Sequence, residues 1–565
     1  MSETVKPKIL ENRIFLYITE FFAGVSVMAV ELGASRLLAP YFSSSQIVWT
    51  IIIGTIMIAM ALGNLYGGKS ADRNPDPSRL YRRILIAAIW IAAIPVVGKY
   101  IIIGISGLLV LAVDTNFLII AAFISCMVIF VFPLFLLGTV TPSLVKVCVS
   151  DLNESGSTVG RLGACNTIGS IIGTFLPTFV TIPAVGTSIT FLIFSGILFV
   201  IACVYFISSG GHTRKVVTGV VLFVTCTFLG HSTSFAFWEG DLSYEGESVY
   251  NYLQVKEDPS RVILSTNVLF GVQSVRMKSD ELTGMYYDYA LAAPVMAVYN
   301  GIDPQASDMS GEAVLSNEDP GLDILVLGNG SGTYADQCLK YFPGSHVEGV
   351  EIDGRITDLA YEYFDLSAEE DVYEYDGRAY LQAVDKKYDV ILVDAYQDIT
   401  IPFQMSSVEF FTLVRDHLGE GGVMAVNMNM HSDNNSAINT YLSDTIASVF
   451  TYVDVVDVAG STNRELFASS YRDPSESLEA ALISEKLPSD GSAGSMSLLN
   501  MMGTVNDRLG NYVAGDNILT DDKAPVELLG MEMIDSLIEA ELQYYKSIYA
   551  AEGLGGVLRS LGVSL

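Results

Sequence analysis

Histidine, cysteine and positive charge are all scarce in this chain. It has 5 histidines and 6 cysteines in 565 residues. Cys126, Cys148, Cys165, Cys203 and Cys226 fall in the N-terminal part, Cys338 stands alone beyond it, and none belongs to a C-x-x-C pair or sits near a histidine cluster. Neither a disulfide framework nor a zinc site is indicated, and no metal is expected. Lys and Arg number 31 against 63 Asp and Glu, for a net charge of −32. Such a surface repels phosphates, so no nucleic-acid partner is expected. It attracts cationic polyamines, although a solvated acidic surface suited to a salty medium is the plainer cause. Charged residues make up only 17% of the chain and mean hydropathy is +0.42, too apolar for an ordinary soluble protein.

The charge divides sharply. Residues 1–235 hold 9 acids and 14 bases, leaving 54 acids and 17 bases for residues 236–565. The first part reads as a membrane bundle, the second as an acidic head. Apolar runs long enough to span a bilayer occupy 15–40, 47–68, 84–112, 116–138, 164–183, 186–208 and 216–237, about seven in all. The first is too long for a cleavable signal and carries Glu20 and Glu31. Lys6, Lys8 and Arg13 precede it; Lys69, Arg73, Arg79, Arg82 and Arg83 follow the second run. Lys146 and Arg161 follow the fourth, and Arg214 and Lys215 the sixth. The alternate loops near Asp114 and Val185 have no basic residue, so the basic loops share one side, by rule the cytoplasmic one. If 216–237 crosses, the head lies outside; if it is re-entrant, the head is cytoplasmic. The cytoplasmic side is the expectation for the head of this multi-pass cell-membrane protein. Glu31 and Arg36 are expected to pair with each other or across helices, as charge in hydrocarbon is costly alone. Gly169 and Gly173, in GSIIGTF, suit close helix packing.

The stretch that carries chemistry runs from Asp323 to Asp398. DILVLGNGSG is an apolar strand feeding Gly328, Gly330 and Gly332, where the absence of Cβ lets backbone N–H groups approach a ligand. VEGVEID ends a second strand at Glu351, placed to accept ribose hydroxyls. VYEYDG puts Asp376 after a third strand and YDVILVDAYQD puts Asp394 after a fourth. Four strand ends bearing glycine or carboxylate would line the carboxyl edge of one parallel sheet, where open α/β sheets bind ligands. Residues 248–300 alternate in short runs with turns at Asp258-Pro259 and Thr283-Gly284, which suggests a small antiparallel sheet.

The G-x-G-x-G spacing looks like the class I fold that binds S-adenosylmethionine and its relatives. With IPFQMSSVEFFTLVRDHLGEGGVMAVN downstream, and SVYNYLQV, VLFGVQS and YYDYALAAP upstream, the chain resembles the spermidine synthase (polyamine aminopropyltransferase) family. ELGASRLLAPYFSSSQIVWT and LTDDKAPVE extend the likeness to its membrane-fused branch. The resemblance implies an α-helical multi-span membrane bundle fused to a small β-domain and an α/β Rossmann-like (class I methyltransferase-type) domain. The expected division is a transmembrane helical domain over 1–237, a small antiparallel β-domain over 238–301 and a linker over 302–322. A catalytic domain over 323–485 and a C-terminal extension with the LTDDKAPVE motif and a terminal helix over 486–565 follow.

On the same resemblance Asp394 is the catalytic base. Glu351 holds the ribose, and Asp376 with the Gly377 backbone meets the adenine edge. Gly328, Gly330, Ser331 and Gly332 surround the aminopropyl end of the nucleoside. Asn251 and Gln273 contact substrate from the β-domain, and Tyr286, Asp288 and Asp398 lie toward the acceptor amine. Departures are clear: Ser331 replaces a family aspartate, Gln397 or Asp398 takes the place of a second loop aspartate, Tyr287 replaces Gln or His, and Asn251 replaces Gln. Asp521, Asp522 and Glu527 either supply the missing contacts to a cationic substrate or cap a helix. No permanently bound cofactor is implied; decarboxylated S-adenosylmethionine, or S-adenosylmethionine itself, is the co-substrate. The implied partners are a small polyamine, the lipid bilayer and a second copy of the chain. Two alternatives stay open: a methyltransferase on the same fold, and a polyamine transporter or sensor with a catalytically idle head.

Overall fold

A computed structural model describes residues 8–560 except 44, 111, 114, 150–154, 211–212, 232–233, 238–241, 268–271, 280, 301–320, 397–400, 429–436 and 484–492. The N-terminal bundle comprises α1 (Arg13–Phe42), α2 (Gln46–Arg73), α3 (Pro77–Val110), α4 (Phe117–Gly138), α5 (Val140–Cys148), α6 (Ser155–Leu176), α7 (Ile182–Ser209) and α8 (Thr213–Gly230). Asn12 Oδ1 caps α1 by accepting from Ile14 N at 3.0 Å, and Ser45 Oγ caps α2 by accepting from Val48 N at 3.2 Å. By length and composition, 6 stretches among the described residues could cross a membrane, with α6 and α7 counted as one of 55 residues.

That long stretch is two rods. Asn166 on α6 donates to Glu20 on α1 at 3.1 Å, and a Cβ on Gly173 would lie 2.2 Å from the Val25 carbonyl, so α6 runs with α1. On α7 the order is reversed. A Cβ on Gly33 would lie 2.7 Å from the Phe191 ring, while Ser26 Oγ donates to the Phe194 carbonyl at 3.4 Å. The chain turns back at Gly186, whose φ of 79° suits a residue without Cβ. α8 ends at Gly230, short of the expected 237, and runs alongside α3 in the same sense. Its Gly219 sits against Leu85 and its Gly230 against Pro95 and Val96. That course is a traverse of the bundle rather than a re-entrant hairpin. The expected Glu31–Arg36 pair is not seen among the described residues; the Arg36 guanidinium reaches off the bundle to the Val249 carbonyl.

Four antiparallel strands follow in chain order: β1 (Leu242–Glu247), β2 (Tyr252–Glu257), β3 (Arg261–Ser265) and β4 (Ser274–Met277). Leu253, Val255, Val262 and Leu264 make the buried face of this sheet. The expected sheet region does not run to residue 300. Tyr286–Ala290 and Ala292–Asn300 are helices, α9 and α10, because their nearly unbroken apolar run is buried on both sides against the larger sheet.

The larger sheet is built from β5 (Asp323–Leu327), β6 (His346–Glu351), β7 (Asp371–Glu374), β8 (Tyr388–Val393), β9 (Leu418–Met428), β10 (Tyr452–Asp457), β11 (Arg464–Ser469) and β12 (Gly510–Asn511). Its order is β12-β10-β11-β9-β8-β5-β6-β7, with β7, β6, β5, β8 and β9 parallel and β11, β10 and β12 added antiparallel. This is a Rossmann-like sheet. β5 and β8 are nearly continuous buried apolar runs, as strands covered by helices on both faces require. The covering helices are α11 (Thr333–Tyr341), α12 (Gly354–Tyr363), α13 (Gly377–Ala383), α14 (Val408–His417), α15 (Ala437–Ala447), α16 (Pro474–Ile483) and α17 (Ala493–Arg508). From β5 the chain proceeds outward through β6 and β7, then returns to the other side of β5 as β8. The strand order reverses there, opening a crevice at the carboxyl ends of β5 and β8.

The last helix, α18 (Val526–Ser560), returns to the bundle. Met531, Ile534, Ile538 and Leu542 enter the bundle's apolar core, and Lys546 Nζ donates to the Val113 carbonyl at 3.0 Å. Other ties join the head to the same end of the bundle. Tyr41 OH donates to the Phe235 carbonyl at 2.9 Å, Lys99 Nζ to the Ser234 carbonyl at 2.8 Å, and Thr187 N to Glu247 at 2.7 Å. Most of the expected 302–322 linker lies outside the described residues.

Candidate active site

The site is assembled at the crevice between β5 and β8. Gly328, Gly330 and Gly332 all have positive φ, at 89°, 56° and 80°. A Cβ on Gly328 would lie 2.6 Å from the Asp394 carbonyl, so only glycine lets the β5 turn pass the end of β8. The turn is held from below: Gly328 N donates to the Val350 carbonyl at 2.9 Å and Asn329 Nδ2 to Glu370 at 2.6 Å.

Three carboxylates, Glu351, Asp376 and Asp394, line one cavity with this turn. Glu351 accepts from Gly330 N at 2.9 Å through Oε2 and from Asp353 N at 3.0 Å through Oε1. Burial pushes its carboxyl up to about 7 against the pull of those N–H groups. Asp376 caps α13, accepting from Ala379 N at 2.8 Å. Asp394, at the tip of β8, is 8% exposed and accepts from Tyr286 OH at 2.7 Å and Asn427 Nδ2 at 2.8 Å. Burial raises Asp394 to about 7, opposed by those two hydrogen bonds and assisted by the Glu351 charge. A carboxylate poised there can accept a proton near neutral pH.

These groups share a cavity of about 390 Å³ with Asn251, Gln273 and Gly377, walled by Ile352, Tyr375, Ile401, Phe403 and Met405. An apolar slot with a few converging polar groups fits a flat heterocycle and its ribose. Among the described residues no group of three or more His, Cys, Asp or Glu is placed to hold a metal.

A family model described as "Spermine/spermidine synthase domain" matches residues 307–461. The "Probable polyamine aminopropyl transferase" of Bifidobacterium longum (strain NCC 2705) is 51% identical over 367 residues, covering 63% of this chain and 78% of that protein. The chain belongs to the polyamine aminopropyltransferase family. It is an enzyme of the spermidine synthase type. The aminopropyltransferase is also 27% identical over 239 residues to the "Polyamine aminopropyltransferase" of Vibrio vulnificus (strain CMCP6), covering 41% of this chain and 72% of that one. Among solved structures, the "probable spermidine synthase from Corynebacterium glutamicum ATCC 13032" aligns with 43% of this chain and 88% of its own, at 20% identity and a TM-score of 0.34.

Not every residue expected at the aminopropyltransferase site reaches the cavity. Ser331 is 1% exposed and turned beneath the loop, its Oγ 3.1 Å from Thr333 Oγ1 and its N–H on Ser274 Oγ at 3.2 Å. Its missing charge therefore concerns the packing against β4 rather than the cavity wall. Gly332 starts α11 and packs against Leu366, also off the cavity. Asp288 is fully buried and accepts from Thr283 N, Thr283 Oγ1, Gly284 N and Gln337 Nε2, which fix the turn before α9. It does not line the cavity. Tyr286 does reach the site, through Asp394, while Tyr287 OH donates to the Gln273 carbonyl at 2.8 Å. Asp398 and Gln397 lie outside the described residues. Sequence reasoning missed Asn427 and Gln46. Asn427 ends the quoted GGVMAVN run, a polar residue closing a buried strand, which was the available signal. Gln46 gave none.

Proposed function

We propose that this aminopropyltransferase is integral to the membrane and moves the aminopropyl group of decarboxylated S-adenosylmethionine onto a polyamine such as putrescine. The convergence of Glu351, Asp376 and Asp394 with the glycine turn on one cavity carries this reading. Glu351 keeps free lone pairs on oxygens already oriented by backbone N–H groups, and takes the ribose hydroxyls. Asp376 and the Gly377 backbone meet the adenine edge between Ile352, Tyr375 and Met405. Asn251 and Gln273 contact the substrate from the small sheet. The amine nitrogen attacks the propyl carbon beside the sulfonium, the C–S bond breaks with its electrons passing to sulfur, and a neutral thioether nucleoside leaves. The amine's proton passes to Asp394, whose orientation Tyr286 and Asn427 fix. The co-substrate's own sulfonium supplies the leaving group, so no resident cofactor enters the mechanism.

Mass-spectrometric product analysis of the detergent-purified chain, with both nucleosides and several amines, tests this. An aminopropylated amine made only from the decarboxylated nucleoside is expected. A methylated amine made from S-adenosylmethionine would replace the reading with the methyltransferase one. Labelled putrescine entering proteoliposomes despite Asp394→Asn would favour the transporter instead.

The membrane assignment is supported by the bundle's outer face, where Met57, Leu65, Phe175, Phe179, Val221 and Phe228 are all more than half exposed, at 59–74%. Arg13, Lys69, Arg73, Arg79, Arg82, Arg83, Lys146, Arg161, Arg214 and Lys215 sit at one end of the rods, and every tie to the head described above is at the other. The positive-inside rule then favours a head opposite the cytoplasm, whereas the expectation from the sequence is the cytoplasmic side. A cysteine introduced at exposed Tyr361 should react with an impermeant maleimide in intact cells. Labelling only after permeabilisation would return the head to the cytoplasm.

A further inference from the structure

The cavity has a fourth carboxylate that the nucleoside does not use. Glu527, the second residue of α18, lines it together with Gln46, the first residue of α2. Glu527 Oε2 accepts the Gln46 N–H at 2.7 Å, so the final helix and the second bundle helix close one wall between them. The other acids of LTDDKAPVE are differently placed. Asp521 forms a two-pronged pair with Arg378 at 2.7 and 2.6 Å and accepts from Ser407 Oγ at 2.5 Å; Asp522 is exposed away from the cavity.

A polyamine acceptor brings two cationic centres to the site. One nitrogen reacts beside Asp394, and the other needs a counter-charge elsewhere in the same hollow. Neither Asp288 nor Ser331 lines the cavity. Glu351 and Asp376 are committed to the nucleoside. Resting on the aminopropyl-transfer reading, we propose that Glu527 holds the far ammonium of the acceptor, with the bundle's Gln46 fixing its carboxylate. The bundle thus helps select a diamine or longer polyamine over a monoamine. The Gln46 N–H engages one carboxylate oxygen and leaves the other to the substrate.

Glu527→Gln separates this role from helix capping, because the amide oxygen can still accept the Gln46 N–H. With the full-length enzyme in detergent, putrescine and n-butylamine are compared as acceptors. Wild type should favour the diamine strongly. Glu527→Gln should raise KM for putrescine about 10- to 100-fold, the usual range for losing a hydrogen bond to a charged group, and leave n-butylamine and nucleoside KM unchanged. Glu527→Asp should recover part of the preference. Equal losses for both amines, or no change for either, would overturn the assignment to Glu527. A wild-type enzyme that aminopropylates no amine at all would instead overturn the reading on which it rests.

Discussion

Replacing Asp394 by Asn should separate catalysis from stability, and the structure gives the size of both effects. Asn preserves the shape: its carbonyl oxygen can keep the Asn427 hydrogen bond, while its amide can donate to a rotated Tyr286 hydroxyl. What is lost is the proton acceptor, worth about 10²- to 10⁴-fold in rate when a positioned base acts. Ionising Asp394 in place is unfavourable, because burial raises it from 3.8 to about 7, a change of roughly a thousandfold in proton affinity. At about 1.4 kcal/mol per tenfold, wild type forfeits on the order of 4 kcal/mol of stability above pH 7. The sign follows from a raised carboxyl: the folded state binds the extra proton, so stability is full below pH 3.8 and declines as pH rises to about 7. Asp394→Asn should therefore be more stable than wild type at pH 8.5, by roughly half that amount at pH 5.5, and equal to it at the acid end. Wild-type kcat/KM should rise through pH 7 and flatten, and the limb in kcat should lie lower because a bound sulfonium favours the carboxylate. Thermal unfolding of the detergent-solubilised chain across pH, beside initial rates with saturating nucleoside, measures both. An Asn variant within threefold of wild-type activity, or one destabilised equally at pH 5.5 and 8.5, would refute the argument.

Two further substitutions probe the surroundings. Gly328→Ala places a Cβ 2.6 Å from the Asp394 carbonyl in a backbone of φ 89°. Strain of that kind is worth roughly 1–3 kcal/mol, so nucleoside affinity by isothermal titration and thermal stability should both fall. Glu465, on β11 opposite Asn427, is fully buried with neither carboxylate oxygen bonded, and burial followed by the Asp394 charge holds its carboxyl far above 4.5. Wild-type stability should therefore decline as pH rises past the ordinary range for a glutamate. Glu465→Gln should flatten that slope and gain stability at pH 8–9 but not at pH 4, and melts at the two pH values check it.

Much of the chemistry was legible because it rests on local rules. A glycine turn after an apolar strand, and carboxylates at successive strand tips, placed Glu351, Asp376 and Asp394 before any contact was known. What escaped depended on distant partners. Nothing in YYDYALAAP says that Thr283, Gly284 and Gln337 hold Asp288 in a buried turn off the cavity. Ser331 looked like a wall residue because a positive-φ turn can aim a side chain either way, and here its hydroxyl lies against Thr333 Oγ1. The segment 286–300 read as sheet because short apolar runs fit both periods, and burial against the large sheet decided for helix. Gln46 was invisible for the plainest reason, since its neighbour Glu527 lies 481 positions away.

The return of α18 to the bundle has a consequence for biogenesis. Met531, Ile534, Ile538 and Leu542 follow the whole catalytic sheet in sequence, yet they complete a core begun by α1. That seam in the bundle stays unfilled until the head has folded and α18 has docked. A chain cut after the catalytic sheet would strand both halves, so bundle and head mature as one object.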